Sequence, residues 1–360
     1  MTYDQLCISC FREKADGALC PHCGFEEPAI RKQTMLPART VLSDRYLIGE
    51  ILQHDRNAVS YKALDLPTKQ IVEVQEYFPQ QIVFRDPDTQ ALLPVSPRCE
   101  TQFADDVQKV RVNGERMQNL RDCENVIHVF DTFCENSTVY IVSEYLEGMR
   151  LSGYLESCGG KLEPDEALSI IYPVLDGLTR IHKEGLVHRG VTPETILLTS
   201  DNKIKIIQFQ SLKEGSPYKE NQMTVHYTPG YAPPEQYMSQ SRCGSFTDVY
   251  AAGAVLYRML MGVIPPDTIA RSSGSALEIL PELPEHIRLA IEKAMEPNDQ
   301  MRFKSAAEFK QTLQGQKPIT DVGGALYQEK RRKELRVVIG LSVLFAALIA
   351  LLIYLLVEFL

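Results

Sequence analysis

The sequence predicts an α+β chain of two lobes, strands first and helices after, with a small metal-bound module in front and one membrane helix behind. Three observations carry this: two tight cysteine pairs near the N-terminus, a change from strand-like to helix-like apolar spacing near Leu162, and an uncharged apolar run near the C-terminus. With 360 residues, 44% of them apolar, the chain has room for one large two-lobed domain plus small appendages. A formal charge of −9 argues against a general nucleic-acid binder, because neutralising phosphates takes clustered Lys and Arg.

Residues 1–25 read as a zinc ribbon. Cys7-x2-Cys10-x9-Cys20-x2-Cys23 makes two turns that each aim two sulfurs at one point, and two such turns complete a tetrahedral thiolate site. Four protein thiolates leave no open position, so the site reads as structural. His22, inside the second pair, reads as a solvated turn residue and not as a fifth ligand. The remaining cysteines of the nine are scattered singly, which suits reduced thiols around one metal site better than a disulfide framework. Nucleic-acid binding by the ribbon is disfavoured, since Arg12 and Lys14 are offset by Glu13, Asp16, Glu26 and Glu27. Residues 26–45, with Pro28 and Pro37, read as a linker.

From Tyr46 to about residue 146 the pattern is strand-like. Beyond Leu162 it becomes helical: Ala167, Ile170, Ile171, Val174, Leu175, Leu178 and Ile181 recur on one face of a helix over Glu166 to His182. Val249 to Met261 is apolar almost throughout and predicts a helix buried all round. A polar tether over 314–336 follows the domain at 46–313. Residues 337–357 carry no charge over 21 positions, and about 20 apolar residues suffice to cross a bilayer as a helix. Basic residues from Lys330 to Arg336 precede this run, and such residues stay on the cytoplasmic side. The expectation is a single-pass, tail-anchored membrane protein with its N-terminal domains in the cytoplasm.

The stretch His188-Arg189-Gly190-Val191-Thr192-Pro193-Glu194-Thr195 is followed by Thr228-Pro229-Gly230-Tyr231-Ala232-Pro233-Pro234-Glu235, by Asp248-Val249-Tyr250-Ala251-Ala252-Gly253, and by Arg302. In this order the motifs resemble the catalytic loop, activation-segment end, large buried helix and closing arginine of the bacterial membrane-anchored, eukaryotic-type serine/threonine protein kinases. The resemblance implies a two-lobed protein-kinase-like fold. It also implies structural roles: Asp248 anchoring the backbone of the loop, Glu235 pairing with Arg302, and His188, Phe209, Met117 and Val129 forming an apolar column between lobes, a set that reads equally as ordinary core.

The reacting positions depart from that family. Gly190 stands where the base aspartate belongs, Thr192 at the phosphate-steadying lysine, Thr195 at a metal-binding asparagine and Gln208 at the main magnesium aspartate. Gln75 replaces the strand lysine, and helical spacing places Asn113 at its glutamate partner, with Glu115 a near alternative. Leu52-Gln53-His54-Asp55-Arg56-Asn57-Ala58 aligns with the glycine-rich loop and holds no glycine; glycine matters there because only a bare backbone wraps closely around phosphates. Coordinated neutralisation is physically coherent, since removing one member of a buried ion pair strands the other while replacing all of them can be neutral. Random decay would also have struck Glu235, Asp248 and Arg302.

These departures define a degenerate, pseudokinase member with an N-terminal zinc ribbon. It is read as a catalytically inactive, membrane-tethered scaffold or allosteric regulator in cytoplasmic signalling whose partners are other proteins. Zinc is its expected cofactor, and ATP and magnesium are not expected. The alternative is an active serine/threonine kinase or another ATP-dependent transferase with non-standard residues, for which Glu73, Asp55 and Glu194 are the candidate substitutes.

Overall fold

Alternating apolar and polar residues build the first lobe of the chain, seen in a computed structural model that describes residues 3–14, 19–28, 34–209, 228–237, 243–272 and 275–316. Strands β1 (Val41–Leu42), β2 (Tyr46–His54), β3 (Ala58–Asp65) and β4 (Ile71–Tyr77) run on as an antiparallel meander. A separate hairpin, β5 (Val83–Arg85) and β6 (Leu92–Pro94), leads to helix α1 (Pro97–Met117), and β7 (Val129–Glu135) and β8 (Thr138–Glu144) complete the sheet in the order β1-β2-β3-β4-β8-β7. Helix α1 lays Phe103, Val110 and Met117 inward and packs on β7 and β8.

A short strand β9 (Gly148–Arg150) and helix α2 (Leu151–Ser157) open the helical lobe, followed by α3 (Pro164–Lys183). Pro164 starts α3, acids fill its first turn and Arg180, His182 and Lys183 its last, which suits both the proline's missing N–H and the helix dipole. The β10 (Ile196–Thr199) and β11 (Ile204–Ile206) hairpin pairs with β9. Helix α4 (Ser245–Met261) is buried on nearly every side and ends at Gly262 in the left-handed conformation, a position favouring glycine. Around it come α5 (Thr268–Ser272), α6 (Glu285–Ala294) and α7 (Ala306–Leu313); α3, α6 and α7 pack against α4.

One buried charge organises the first lobe. Val72, Val74 and Glu76 share a face of β4, and Glu76 is 0% exposed. Its carboxylate accepts from Tyr61 Oη at 3.1 Å, Tyr140 Oη at 2.6 Å and the equally buried guanidinium of Arg85. Arg85 also donates to the carbonyls of Thr34 and Gln90 at 3.0 and 2.8 Å. Leu36 N–H in turn donates to Tyr61 Oη at 3.1 Å. The stretch from Met35, read as linker, therefore contributes buried Met35 and Leu36 to the core.

The membrane placement expected from the sequence is corrected: no helix among the described residues is long and apolar enough to cross a membrane. The longest, α1 and α3, carry charges along their length. The 337–357 run on which the single-pass, cytoplasm-facing expectation rested lies outside the described residues, as does the tether beyond residue 316.

Candidate functional site

The loop 188–195 is fixed from below by the first turn of α4. Asp248, 0% exposed, accepts the N–H groups of His188 and Arg189 at 2.8 Å each and faces His182 Nε2 at 2.8 Å. Burial alone would raise its pKa; the His182 contact and the His188 N–H outweigh it and hold the carboxyl below its usual range. His188 Nε2 meets the Ile207 carbonyl at 3.1 Å, and its ring lies 4.5 Å from that of Phe209. Phe209, Met117 and Val129 all belong to the continuous core. Arg189 has φ 64° and its carbonyl accepts from Gln236 at 2.7 Å. Farther out, the Arg302 guanidinium, with its side chain 0% exposed, grips Glu235 at 2.7 and 3.0 Å.

The reacting positions lie together on this frame. Gly190 offers no side chain. Thr195 Oγ1 accepts from Thr192 N at 2.9 Å and donates to the Gly190 carbonyl at 2.8 Å, so the hydroxyl serves the backbone of its own loop. Beside them a cavity of about 410 Å³ is lined by Gly190, Thr192, Thr195, Gln208, Tyr231 and Arg258, among others. Burial pushes the Tyr231 phenol up to about 12. Glu194 also lines this cavity.

Gln208 sits at φ 59°, in the left-handed region that non-glycine residues rarely enter. Its amide nitrogen donates to Gln53 Oε1 of β2, and its Oε1 accepts from Arg150 at 3.3 Å. The tip of the β2–β3 turn is closed on itself: Asp55 Oδ1 accepts from Asn57 N at 3.2 Å and Ala58 N at 3.0 Å. The chain after β4 pins it, through Phe78 N to Asn57 O at 2.8 Å and Gln80 Nε2 to Asp55 O at 2.9 Å. Strand register places Gln75 opposite Ser60 and Glu73 opposite Lys62, so all four share one face of the sheet. Asn113 is half-buried on α1, whereas Glu115 is exposed and pairs with Arg111; of the two, Asn113 is the one turned inward.

The four cysteines converge. Cys7 Sγ lies 3.7 Å from Cys23 Sγ, and Cys10 Sγ 3.7 Å from Cys20 Sγ, with all four sulfurs within 4.8 Å of one another. Arms of about 2.3 Å to a tetrahedral zinc imply sulfur–sulfur edges of about 3.8 Å, so the donor set fits that ion. Each pair sits in a turn closed by the backbone: Phe11 N to Cys7 O, and Gly24 N to Cys20 O, both at 2.9 Å. His22 points elsewhere, its Nε2 at 3.1 Å from the Glu13 carbonyl.

Neither the Glu76 network nor the Gln53–Gln208 bridge was found from sequence. A signal for the first existed: a glutamate in phase with Val72 and Val74 requires a buried partner. For the second there was none, because the two amides are far apart in the chain.

The protein kinase domain family model matches residues 98–320, and the chain belongs to that family. A probable serine/threonine-protein kinase of Clostridium acetobutylicum is 27% identical over 285 residues, 75% of this chain and 39% of the relative. The serine/threonine-protein kinase PrkC of Bacillus subtilis is 29% identical over 56% of this chain and 33% of its own length. The chain thus spans between a third and two fifths of these relatives. Among solved structures, the apo form of PpkA-294 superposes with a TM-score of 0.67 at 21% identity, covering 78% of this chain and 99% of that one, a likeness of fold.

Proposed function

We propose that this chain is a pseudokinase, a non-catalytic scaffold or allosteric regulator that uses the kinase fold to engage other proteins, with a structural zinc in its N-terminal ribbon. The observation that carries the reading is the state of Gln208. Magnesium favours charged oxygens, and at this position there is a neutral amide engaged by Gln53 and Arg150. Phosphoryl transfer rests on positioning and on neutralising charge; Gln75 has no ammonium and Gly190 no carboxylate, so these residues do not fit a magnesium nucleotide. The intact Asp248, Glu235 and Arg302 contacts support retention of the fold for binding.

The names of the relatives favour a second reading, an active transferase with relocated carboxylates. Glu194, at the cavity beside Gly190, is its best candidate; Asp55 is engaged by its own loop. A thermal-shift titration of the full chain with ATP, with and without magnesium or manganese, separates the two. No metal-dependent rise in Tm is expected, because a ligand stabilises only a folded state that binds it, and Gln75→Lys is expected to leave this unchanged while lowering stability or leaving it as it was. A rise of several degrees that requires the metal ion sinks the pseudokinase reading.

For the ribbon, one zinc per chain is expected by metal analysis. Cys20→Ser should abolish it, and retention of zinc in that variant would contradict the four-thiolate site.

A further inference from the structure

We propose that the four-cysteine ribbon is a metal-dependent clasp on the edge of the first-lobe sheet, so that loading or loss of the metal sets the order of β2 and of the cleft residue Gln53 that β2 carries. This rests on the reading of the four thiolates as a metal site and is independent of whether the cleft transfers phosphate.

Strand β1 and the residues just before it cover β2 as far as Ile48, whose N–H donates to the Thr40 carbonyl at 2.8 Å; this leaves the edge beyond Ile48 open, and open edges are sites for added chain. The ribbon takes that place: Glu50 N–H donates to the Ile8 carbonyl at 2.8 Å. Gly49 is required for the approach, since a Cβ there would fall on the Ile8 carbonyl oxygen and come within 2.6 Å of Phe11 Cζ. Ser9 Oγ donates to Glu50 Oε1 at 2.9 Å; Glu50 faces Lys62 Nζ at 3.5 Å, and Lys62 lies 4.5 Å from the ring of Tyr145, just past β8. A second strap starts at Arg39, whose backbone N–H bonds to the Ile48 carbonyl at 2.7 Å. Its guanidinium grips Glu27 at 2.7 and 2.8 Å and the Leu6 carbonyl at 2.8 Å.

The residues that make this contact are held by the cysteines. Ile8, Ser9 and Phe11 lie within or directly after the Cys7–Cys10 turn, and among the described ribbon residues the buried apolar side chains are Cys7, Ile8, Phe11 and Cys20. So small a core does not fold without a staple, and for such modules metal binding and folding are one event. Loss of the metal therefore releases Ile8, Ser9 and Phe11 from Gly49 and Glu50. Three residues along the same strand, Gln53 makes the bond to Gln208, so the disturbance reaches the cleft through a single element.

Hydrogen exchange on the full chain, zinc-loaded and then stripped by a chelator with metal content measured on both, tests this. Stripping should speed exchange in residues 47–54 about tenfold or more, as for a locally opened edge, with α4 unchanged. Gly49→Val should speed the same amides while keeping one zinc per chain; where that variant does not fold, Phe11→Ala takes its place with the same expected result. Unchanged exchange at 47–54 after the metal has left overturns the clasp alone. A chain that takes up no metal overturns the four-thiolate reading, and the clasp with it.

Discussion

Glu235→Ala is expected to destabilise the helical lobe by about 3–5 kcal/mol, the cost of stranding one member of a buried ion pair. Arg302 has nowhere to turn. Its side chain is 0% exposed, and after the substitution its guanidinium is left with the carbonyls of Glu296, Pro297 and Phe246 and the ring of Tyr250 at 5.0 Å, none of which carries a balancing charge. Thr247 Oγ1 loses its acceptor as well. Urea unfolding of the full chain reads the change as a lower midpoint at unchanged slope. The double variant Glu235→Leu, Arg302→Met should recover part of the loss, because removing both charges leaves nothing unpaired. A single variant within about 0.5 kcal/mol of wild type, the range of ordinary surface substitutions, would show that the pair does not hold the lobe.

Glu76→Ala should cost as much or more, again about 3–5 kcal/mol for the stranded guanidinium. Both side chains of the Glu76–Arg85 pair are 0% exposed, and the hydroxyls of Tyr61 and Tyr140 lose their acceptor. Glu76→Gln should be milder, since an amide oxygen still accepts a hydrogen bond. Because Arg85 and Tyr61 also hold Thr34 and Leu36, the alanine variant should free the 34–37 segment to proteolysis before the helical lobe opens. Equal stability of Glu76→Ala and wild type would refute a structural role for the network.

Local pattern made some of this legible. Apolar spacing in α3 and the near-continuous apolar run of α4 located both helices, because burial on one face or on all faces leaves a periodic mark. The cysteine spacing located the cluster, since each C-x2-C turn is a local geometry. The framing residues of the 188–195 loop pointed to one segment, and Gly190, Thr192, Thr195 and Gln208 line a single cavity there. What stayed hidden depends on distant partners. Met35 and Leu36, between prolines and polar residues, carry no period. The requirement for Gly49 comes from the ribbon carbonyl above it, and the burial that separates Asn113 from the exposed Glu115, two positions on, depends on how α1 meets the sheet.

Incubating the wild-type full chain with γ-labelled ATP, magnesium or manganese and a generic protein substrate asks directly whether the cleft transfers phosphate. No label above background is expected, for the chain itself or the substrate, and none is expected on adding Gln75→Lys. Turnover in the wild type that Gln208→Ala, Glu73→Ala or Glu194→Ala abolishes would contradict the pseudokinase reading and establish an enzyme with relocated catalytic groups.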